Sequence, residues 1–124
     1  DLVVRFTDAF NREDLDGVMA FFADDGVYDE FDGQRRVGKD AIRRAFEPQV
    51  RGDFGRMRFV TEALFVDPVS GKGLISWLCT TERNGNLRGW RGLDILHFAD
   101  GKLIEKQTYA KAERLKLEEV PGRA

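Results

Sequence analysis

The stretch RGLDILHFADGKLIEKQTYA, residues 91–110, contains two runs of strand-like residues separated by a short turn. Within the first run, Asp94 and Leu96 fall on one face of a strand, whereas Leu93 and Ile95 fall on the other, because successive side chains alternate between faces. The intervening letters ADGK are typical of a β-hairpin turn. The stretch therefore predicts two antiparallel strands, at residues 87–98 and 102–110.

Two further runs of β-branched and aromatic residues precede this hairpin, at 57–66 and 73–82. The spacers DPVSGK and RNGN separate the runs and are rich in turn-forming residues. Along the run 73–82, Trp77 and Cys79 share one face, as Trp90 and Asp94 do in the next strand. The second half of the chain thus predicts an antiparallel meander of four strands.

The first half of the chain has the spacing of helices instead. Apolar residues recur every three or four positions from Leu2 to Phe10, which predicts a helix that ends near Asn11. A second short helix is expected behind Asp14 as its N-cap, with Gly26 at its end. The letters GKDAIRRAFEP predict a third helix, capped at Asp40 and ended by Pro48. Helices followed by an antiparallel meander indicate the α+β class.

A short strand is expected at residues 27–31, within the acid-rich letters FFADDGVYDEFDG, and a turn follows at Asp32. Asp24 and Asp25 lie beside a glycine, where short acids favour turns, so we interpret them as solvated. Strand alternation places Tyr28 and Glu30 on one face.

The composition is that of one domain, which we assign to residues 1–112, followed by a charged tail at 113–124. The net charge of −2 is spread over both signs, which argues against nucleic acid and membrane partners. The single cysteine cannot form an internal disulfide, and no metal-ligand cluster or phosphate-loop spacing occurs. We therefore expect a cytoplasmic protein that uses no cofactor and no metal.

The predicted sheet has apolar side chains on both faces, since Leu78, Leu93 and Ile95 lie opposite the face that carries Trp77 and Asp94. The predicted helices can cover one face. We expect the other face to meet a second copy of the chain, which makes the protein a homodimer.

Three runs together resemble one family: FTDAFNREDLDGVMAFFADDGVYDEFDG, GKDAIRRAF and RGLDILHFADGKLIEKQTY. They are similar to the NTF2-like superfamily and, within it, to its ketosteroid isomerase and SnoaL-like branch. The resemblance covers nearly the whole chain. It implies an α+β cone in which three helices pack on a strongly curved, mainly antiparallel sheet and enclose a deep apolar pocket, usually in a dimer.

The resemblance also implies a catalytic set. The isomerase general base falls on Glu30, and the neutral oxyanion-hole acid of that family falls on Asp94. The oxyanion-hole tyrosine falls on Phe6, which has no hydroxyl group. One such donor is commonly worth roughly 3 to 4 kcal/mol of transition-state stabilisation, so efficient steroid isomerisation is not expected. An alternative for Glu30 is a place at the pocket rim or an ion pair with an arginine.

By the same resemblance, Lys106 and Thr108 point into the pocket. Two interpretations of Asp94 then follow. It forms an ion pair with Lys106, or it is an acid that holds a ligand carbonyl or hydroxyl. Lys106 is either a hydrogen-bond donor to an oxyanion or an amine nucleophile with a depressed pKa. The catalytic candidates are Glu30, Asp94 and Lys106, and the ligand-binding candidates are Phe6, Met19, Phe22, Tyr28, Trp77, Cys79, Trp90 and Thr108.

Two functions of different class follow, because this fold hosts both enzymes and binding modules. One is a cofactor-independent isomerase or lyase that performs proton transfer, cyclisation or dehydration on a small, largely apolar carbonyl or hydroxyl compound. The other is a non-catalytic small-molecule-binding or assembly domain. A hydrolase of the limonene epoxide hydrolase type is not favoured, because this sequence lacks the Asp/Arg/Asp arrangement that such an enzyme is expected to have.

Overall fold

The computed structural model describes residues 2–111, so the predicted tail at 113–124 lies outside the described residues. Three helices and six strands follow one another along the chain. They are α1 (Leu2–Asn11), α2 (Leu15–Ala20), β1 (Phe22–Asp29), β2 (Arg35–Val37), α3 (Lys39–Arg51), β3 (Arg56–Asp67), β4 (Lys72–Arg83), β5 (Asn86–Ala99) and β6 (Lys102–Ala110).

The six strands form one sheet in the order β2-β1-β6-β5-β4-β3. All neighbouring strands are antiparallel except β1 and β6, which run parallel. The register shifts between Thr61 and Ala63 and again between His97 and Phe98. Such bulges bend a strand and increase its twist, so the sheet curves around the helices. The α+β prediction is confirmed.

Two of the three hairpin turns of the meander, those that follow β4 and β5, use the residues that their backbone geometry demands. Asn84 and Gly85 have φ angles of 52° and 79°, and Asp100 and Gly101 have φ angles of 52° and 75°. Two consecutive positive φ angles match the twist of the flanking strands, and Asn-Gly and Asp-Gly tolerate them best. The four strands therefore lie where the alternating runs predicted: β3, β4 and β5 are one residue longer at each end, and β6 has the predicted bounds.

Four predicted element boundaries were wrong. The strand expected at residues 27–31 spans Phe22–Asp29 instead. Gly26 does not end α2, which stops at Ala20; it lies inside β1, where the register with β6 shifts. Asp40 is not the N-cap of α3, because Gly38 takes that position and Asp40 lies in the first turn. Pro48 does not end α3 either: the helix continues to Arg51. The three-residue strand β2 was missed because it is too short to show a period.

The core lies between the helices and the concave face of the sheet. On β4 every second residue is buried, so Ile75, Trp77 and Cys79 face the helices. On the convex face Val60 and Phe65 are exposed, and Leu78 is half-buried. This alternation leaves an apolar outer surface, as the sequence predicted.

Candidate functional site

A cavity of about 260 Å³ opens between the helices and the concave face of the sheet. Its walls are mainly aromatic, and its polar groups come chiefly from β5 and β6. The lining residues are Phe6, Thr7, Phe10, Tyr28, Phe31, Phe46, Gln49, Met57, Phe59, Trp77, Trp90, Asp94, Lys106, Thr108, Ala110 and Lys111.

The aromatic wall is held together by edge-to-face contacts. The ring centroids of Phe6 and Phe10 lie 5.2 Å apart, those of Phe10 and Phe46 lie 4.9 Å apart, and those of Phe59 and Trp77 lie 5.2 Å apart. All three pairs are close to perpendicular. This geometry suits the quadrupoles of the rings and fixes their orientation, so the wall is preformed.

A network of three donors surrounds the carboxylate of Asp94. Lys106 Nζ donates to Asp94 Oδ1 at 3.0 Å, and Thr108 Oγ1 donates to the same oxygen at 2.6 Å. The indole Nε1–H of Trp77 donates to Oδ2 at 3.1 Å. Lys106 Nζ also donates to Thr108 Oγ1 at 2.6 Å. Cross-strand register produces this cluster, since Asp94 on β5 pairs with Thr108 on β6.

The cluster is buried and ionic. The side chains of Lys106 and Asp94 are 6% and 10% exposed. Burial lowers the pKa of Lys106, but the charge of Asp94, the charge of Tyr28 and the hydrogen bond to Asp94 together outweigh burial and raise it. A raised pKa keeps the lysine protonated, which argues against the amine nucleophile.

Asp94 therefore differs from the family's neutral oxyanion-hole acid. Its two oxygens accept hydrogen bonds from an ammonium, a hydroxyl and an indole, so the carboxyl group serves as an acceptor in this network. Of the two readings of Asp94, the geometry favours the ion pair with Lys106. The expectation that Asp94 itself donates a hydrogen bond to a ligand does not fit this arrangement.

Tyr28 covers the ammonium from the side of β1. The Nζ atom of Lys106 lies 4.5 Å from the centre of the Tyr28 ring and 5.8 Å from that of Phe46. Burial raises the pKa of the Tyr28 phenol, and the positive charge of Lys106 opposes this rise. Tyr28 and Phe46 thus stabilise the ammonium by cation–π contact in a dry environment.

The placement of Glu30 does not support a free base that faces the cavity. Strand β1 ends at Asp29, so the alternation that would carry Glu30 inward stops one residue too early. The carboxylate instead accepts a 2.6 Å hydrogen bond from Arg36 Nε, and Glu30 is not among the lining residues. Phe31 lines the cavity in its stead. The alternative of an arginine ion pair is the one observed.

Three other candidates lie outside the cavity. Met19, Phe22 and Cys79 are buried in the core and are not lining residues. Burial raises the pKa of the Cys79 thiol to about 12, which keeps it unreactive. The exposure of each of these side chains is 4% or less, and strand alternation alone does not distinguish the packed core from the cavity wall. In contrast, Phe6, Tyr28, Trp77, Trp90 and Thr108 do line the cavity.

Several lining residues escaped the sequence analysis. Phe10 and Phe46 belong to helical stripes that read as ordinary core, and Phe59 belongs to a strand whose inward face was not assigned. Gln49 and Lys111 carried no motif. The one available signal was the number of aromatic residues, which include ten phenylalanines among 124 residues.

One end of the cavity is open to solvent. Phe31 and Trp90 are 60% and 36% exposed although they line the cavity, and Lys111 is exposed as well. We call these three residues the mouth, and we call Asp94, Lys106 and Thr108 the floor. The cavity therefore runs from a charged, buried floor to an aromatic mouth.

Within residues 2–111, no group of three or more His, Cys, Asp or Glu side chains is arranged to hold a metal ion. No helix in that range is long and apolar enough to cross a membrane.

The sequence matches the model of the SnoaL-like domain over residues 3–106, which includes Asp94 and Lys106 of the floor. The chain belongs to the SnoaL-like family. As a SnoaL-like domain it has the curved six-stranded sheet and three helices of the NTF2-like fold, so the resemblance seen in the sequence is confirmed. No curated protein matches the chain in sequence.

Solved structures share the fold of this SnoaL-like domain. A protein of Xanthomonas campestris pv. campestris, provisionally assigned as a polyketide cyclase, is 22% identical with a TM-score of 0.75, covering 87% of this chain and 86% of its own. An NTF2-like protein of unknown function from Mesorhizobium loti is 23% identical with a TM-score of 0.74, covering 90% and 88%. TerC, co-crystallised with polyporic acid, is 13% identical with a TM-score of 0.72, covering 89% and 88%.

Proposed function

We propose that this SnoaL-like domain is a cofactor-independent enzyme that moves a proton on a small, largely apolar carbonyl compound bound in the cavity. The observation that carries this proposal is the ammonium of Lys106, buried at the floor beneath aromatic walls. A preformed charge in a dry cavity stabilises negative charge that develops on a substrate oxygen, at no reorganisation cost.

The ammonium of Lys106 has one N–H bond that can donate a hydrogen bond to a substrate. Two of its three N–H bonds point to Asp94 and Thr108, at 3.0 Å and 2.6 Å. The third meets no hydrogen-bond acceptor among residues 2–111. A substrate carbonyl that enters between the rings can accept this third proton. Lys106 thereby takes the place of the tyrosine hydroxyl that Phe6 lacks.

Asp94 is the best-placed proton acceptor. Among residues 2–111 it is the carboxylate that lines the cavity. Its Oδ1 accepts two hydrogen bonds, whereas its Oδ2 accepts one, from Trp77, and keeps a lone pair. We therefore assign the role of base to Asp94 Oδ2 in place of Glu30, whose oxygen is held by Arg36.

Asp94, Lys106 and the substrate together account for the proton and the electron pair of this reaction. Asp94 Oδ2 takes a proton from the carbon next to the carbonyl group, and the electron pair of the broken C–H bond moves onto the carbonyl oxygen. Lys106 stabilises the resulting enolate. Return of the same proton from Asp94 to another carbon of the conjugated system completes an isomerisation and restores the ion pair. Attack of the enolate carbon on a second carbonyl of the substrate would give a cyclisation instead: the new C–C bond leaves an alkoxide on the second carbonyl oxygen, which takes the proton back from Asp94.

The neighbours support a small-molecule cavity. One is provisionally assigned as a polyketide cyclase, and another was crystallised with polyporic acid. The size of the cavity limits the ligand further. A dry cavity of about 150 Å³ holds a benzene molecule. The cavity of about 260 Å³ in this protein therefore suits a compound of one or two rings.

Proton exchange tests the proposal without knowledge of the natural substrate. The probe is 2-acetylnaphthalene, a two-ring methyl ketone, incubated with the protein in D₂O while NMR follows loss of the methyl protons. We expect exchange above the buffer rate. Asp94→Asn and Lys106→Met should each reduce it at least about a hundredfold, the usual cost of removing one preorganised group.

Glu30→Gln is the matched control, since it also neutralises one carboxylate near the cavity and should leave the exchange rate within about threefold. Exchange that survives in Asp94→Asn and disappears in Glu30→Gln would return the role of base to Glu30. All variants are checked for folding by circular dichroism before the rates are compared.

A second candidate function is a non-catalytic binding module. It is favoured by the three hydrogen bonds that Asp94 accepts from Lys106, Thr108 and Trp77, which occupy most of the lone pairs that a substrate proton would need. Binding of 2-acetylnaphthalene without any proton exchange in the wild-type protein would select this function over the enzyme.

We further propose a homodimer formed through the convex face of the sheet, in a cytoplasmic setting. The support is the apolar outer surface that Val60, Phe65 and Leu78 provide, since exposed apolar patches of this kind mark contact sites.

A further inference from the structure

The helices contribute two polar side chains to the lining of the cavity, Thr7 from α1 and Gln49 from α3. The Thr7 hydroxyl donates to the Val3 carbonyl of its own helix at 3.0 Å. The side-chain amide of Gln49 makes no hydrogen bond with any residue in the range 2–111. An amide against an apolar cavity is costly without partners, so water or a ligand has to supply them.

Helical spacing places the Gln49 side chain on the cavity side of α3. Ile42 and Phe46 are buried on the inner face of this helix. Gln49 follows Phe46 by three positions and Ile42 by seven, and residues at these spacings share one face of a helix. The backbone carbonyl of Gln49 already accepts the N–H of Gly52 at the end of the helix. The side chain is therefore the part of Gln49 that meets the cavity.

Gln49 and the floor lie on different sides of the cavity. Gln49 also borders a small hollow together with Met57 and Phe59 of β3, and the floor residues do not border this hollow. Strand β3 is two strands away from β5, which carries Asp94. Neighbouring strands lie about 4.8 Å apart, so the two sides of the cavity are separated by on the order of 10 Å along the sheet. A two-ring compound with a polar group at each end has a length of this order.

We propose that Gln49 is a specificity-determining residue that binds a hydroxyl group at the end of the ligand remote from the carbonyl. The ligand is then a two-ring hydroxy ketone. Its carbonyl oxygen lies against Lys106 at the floor, its rings lie along the aromatic wall, and its hydroxyl forms a hydrogen bond with the amide. This inference rests on the proposed function for the carbonyl end.

The chemistry of the amide explains the preference for a hydroxyl group. The Gln49 side chain offers both a donor and an acceptor, and a hydroxyl group can pair with either. A ligand that covers the amide with a C–H bond displaces water without replacing its hydrogen bond, and such a ligand loses affinity. Gln49 therefore selects the hydroxy ketone over the ketone that lacks the hydroxyl group.

A pair of ligands that differ by one hydroxyl group tests the proposal. The probes are 6-acetyl-2-naphthol and 2-acetylnaphthalene, which share the ring system and the methyl ketone. Isothermal titration calorimetry measures the dissociation constant of each with the full chain. We expect the wild-type protein to bind the hydroxy ketone about three- to tenfold more tightly, the effect of one hydrogen bond between neutral groups.

Three variants locate the source of this ratio. Gln49→Met removes the amide at similar side-chain length, so the ratio should fall to about one. Gln49→Glu retains an oxygen that accepts a hydrogen bond from the ligand hydroxyl, so it should keep the preference. Gln107→Met is the matched control: Gln107 pairs with Ile95 on the convex face and does not line the cavity, so the wild-type ratio should persist.

The outcomes separate this inference from the proposed function. Equal binding of the two probes by the wild-type protein, or an unchanged ratio in Gln49→Met, would overturn the role of Gln49. Proton exchange on the methyl group of 2-acetylnaphthalene would in that case still support the enzyme. A preference that Gln49→Met removes, without any proton exchange, would support the role of Gln49 and overturn the enzyme. Binding of neither probe would overturn the ligand class itself.

Discussion

Replacing Lys106 with methionine removes the cation that neutralises Asp94 and leaves the rest of the floor in place. The magnitude follows from the burial of the pair. Exposed ion pairs contribute about 0 to 1 kcal/mol, but the side chains here are 6% and 10% exposed. Removing one partner of a buried pair costs about 3 to 5 kcal/mol, because the other charge stays buried without compensation.

The lower end of that range applies here. Trp77 and Thr108 still donate to Asp94 in the variant and stabilise part of its charge. We expect Lys106→Met to lower the free energy of unfolding by about 3 kcal/mol. In a domain of about 100 residues, this corresponds to a fall in Tm of at least about 12 °C.

The assay is urea unfolding at pH 7, followed by circular dichroism, for the wild type, Lys106→Met, Asp94→Asn and the double variant. The double variant should be more stable than the sum of the two single losses predicts by about 1 to 3 kcal/mol, since it contains no unpaired buried charge. A loss below about 1 kcal/mol in Lys106→Met, or strict additivity in the cycle, would refute the buried ion pair.

Four further outcomes are expected. The pKa of Lys106 is raised on folding. Its contribution to the free energy of unfolding is therefore complete below the ordinary lysine pKa of about 10.4 and is lost as pH rises through the folded pKa. The urea concentration at the midpoint of unfolding should decrease when it is measured at increasing pH above about 10. Since the pKa of Cys79 is raised to about 12, folded protein at pH 8 should react with a disulfide reagent at least about a hundredfold more slowly than protein unfolded in urea. Gly92→Ala should cost about 1 to 3 kcal/mol and alter tryptophan fluorescence, because the new Cβ would lie 2.5 Å from Cη2 of Trp77 and 2.5 Å from the backbone oxygen of Tyr109; unchanged stability would mean that both the ring and strand β6 move aside freely. Sedimentation should give about twice 14.1 kDa for the wild type and a monomer for Leu78→Arg, whereas a wild-type monomer at micromolar concentration would contradict the dimer.

The sequence by itself determined the strands, the turns and the inward faces of the meander. These features depend on short-range physics: alternation has a fixed period of two, and Asn-Gly and Asp-Gly tolerate the positive φ angles of a tight hairpin. For that reason Trp77, Trp90 and Asp94 were assigned to one face from the letters alone, and the structure places all three on the cavity. The α+β class followed from the order of the patterns.

The tertiary structure alone decided what each inward residue touches. Strand β1 ends at Asp29, so Glu30 pairs with Arg36 and Phe31 reaches the cavity. A difference of one residue in the length of the strand thus decides which of the two side chains lines the cavity. Met19 and Cys79 were candidates for the cavity too, but both are buried in the core and neither lines the cavity. Depth beneath a helix and the partners of a buried charge depend on contacts between segments distant in sequence, which no local period encodes.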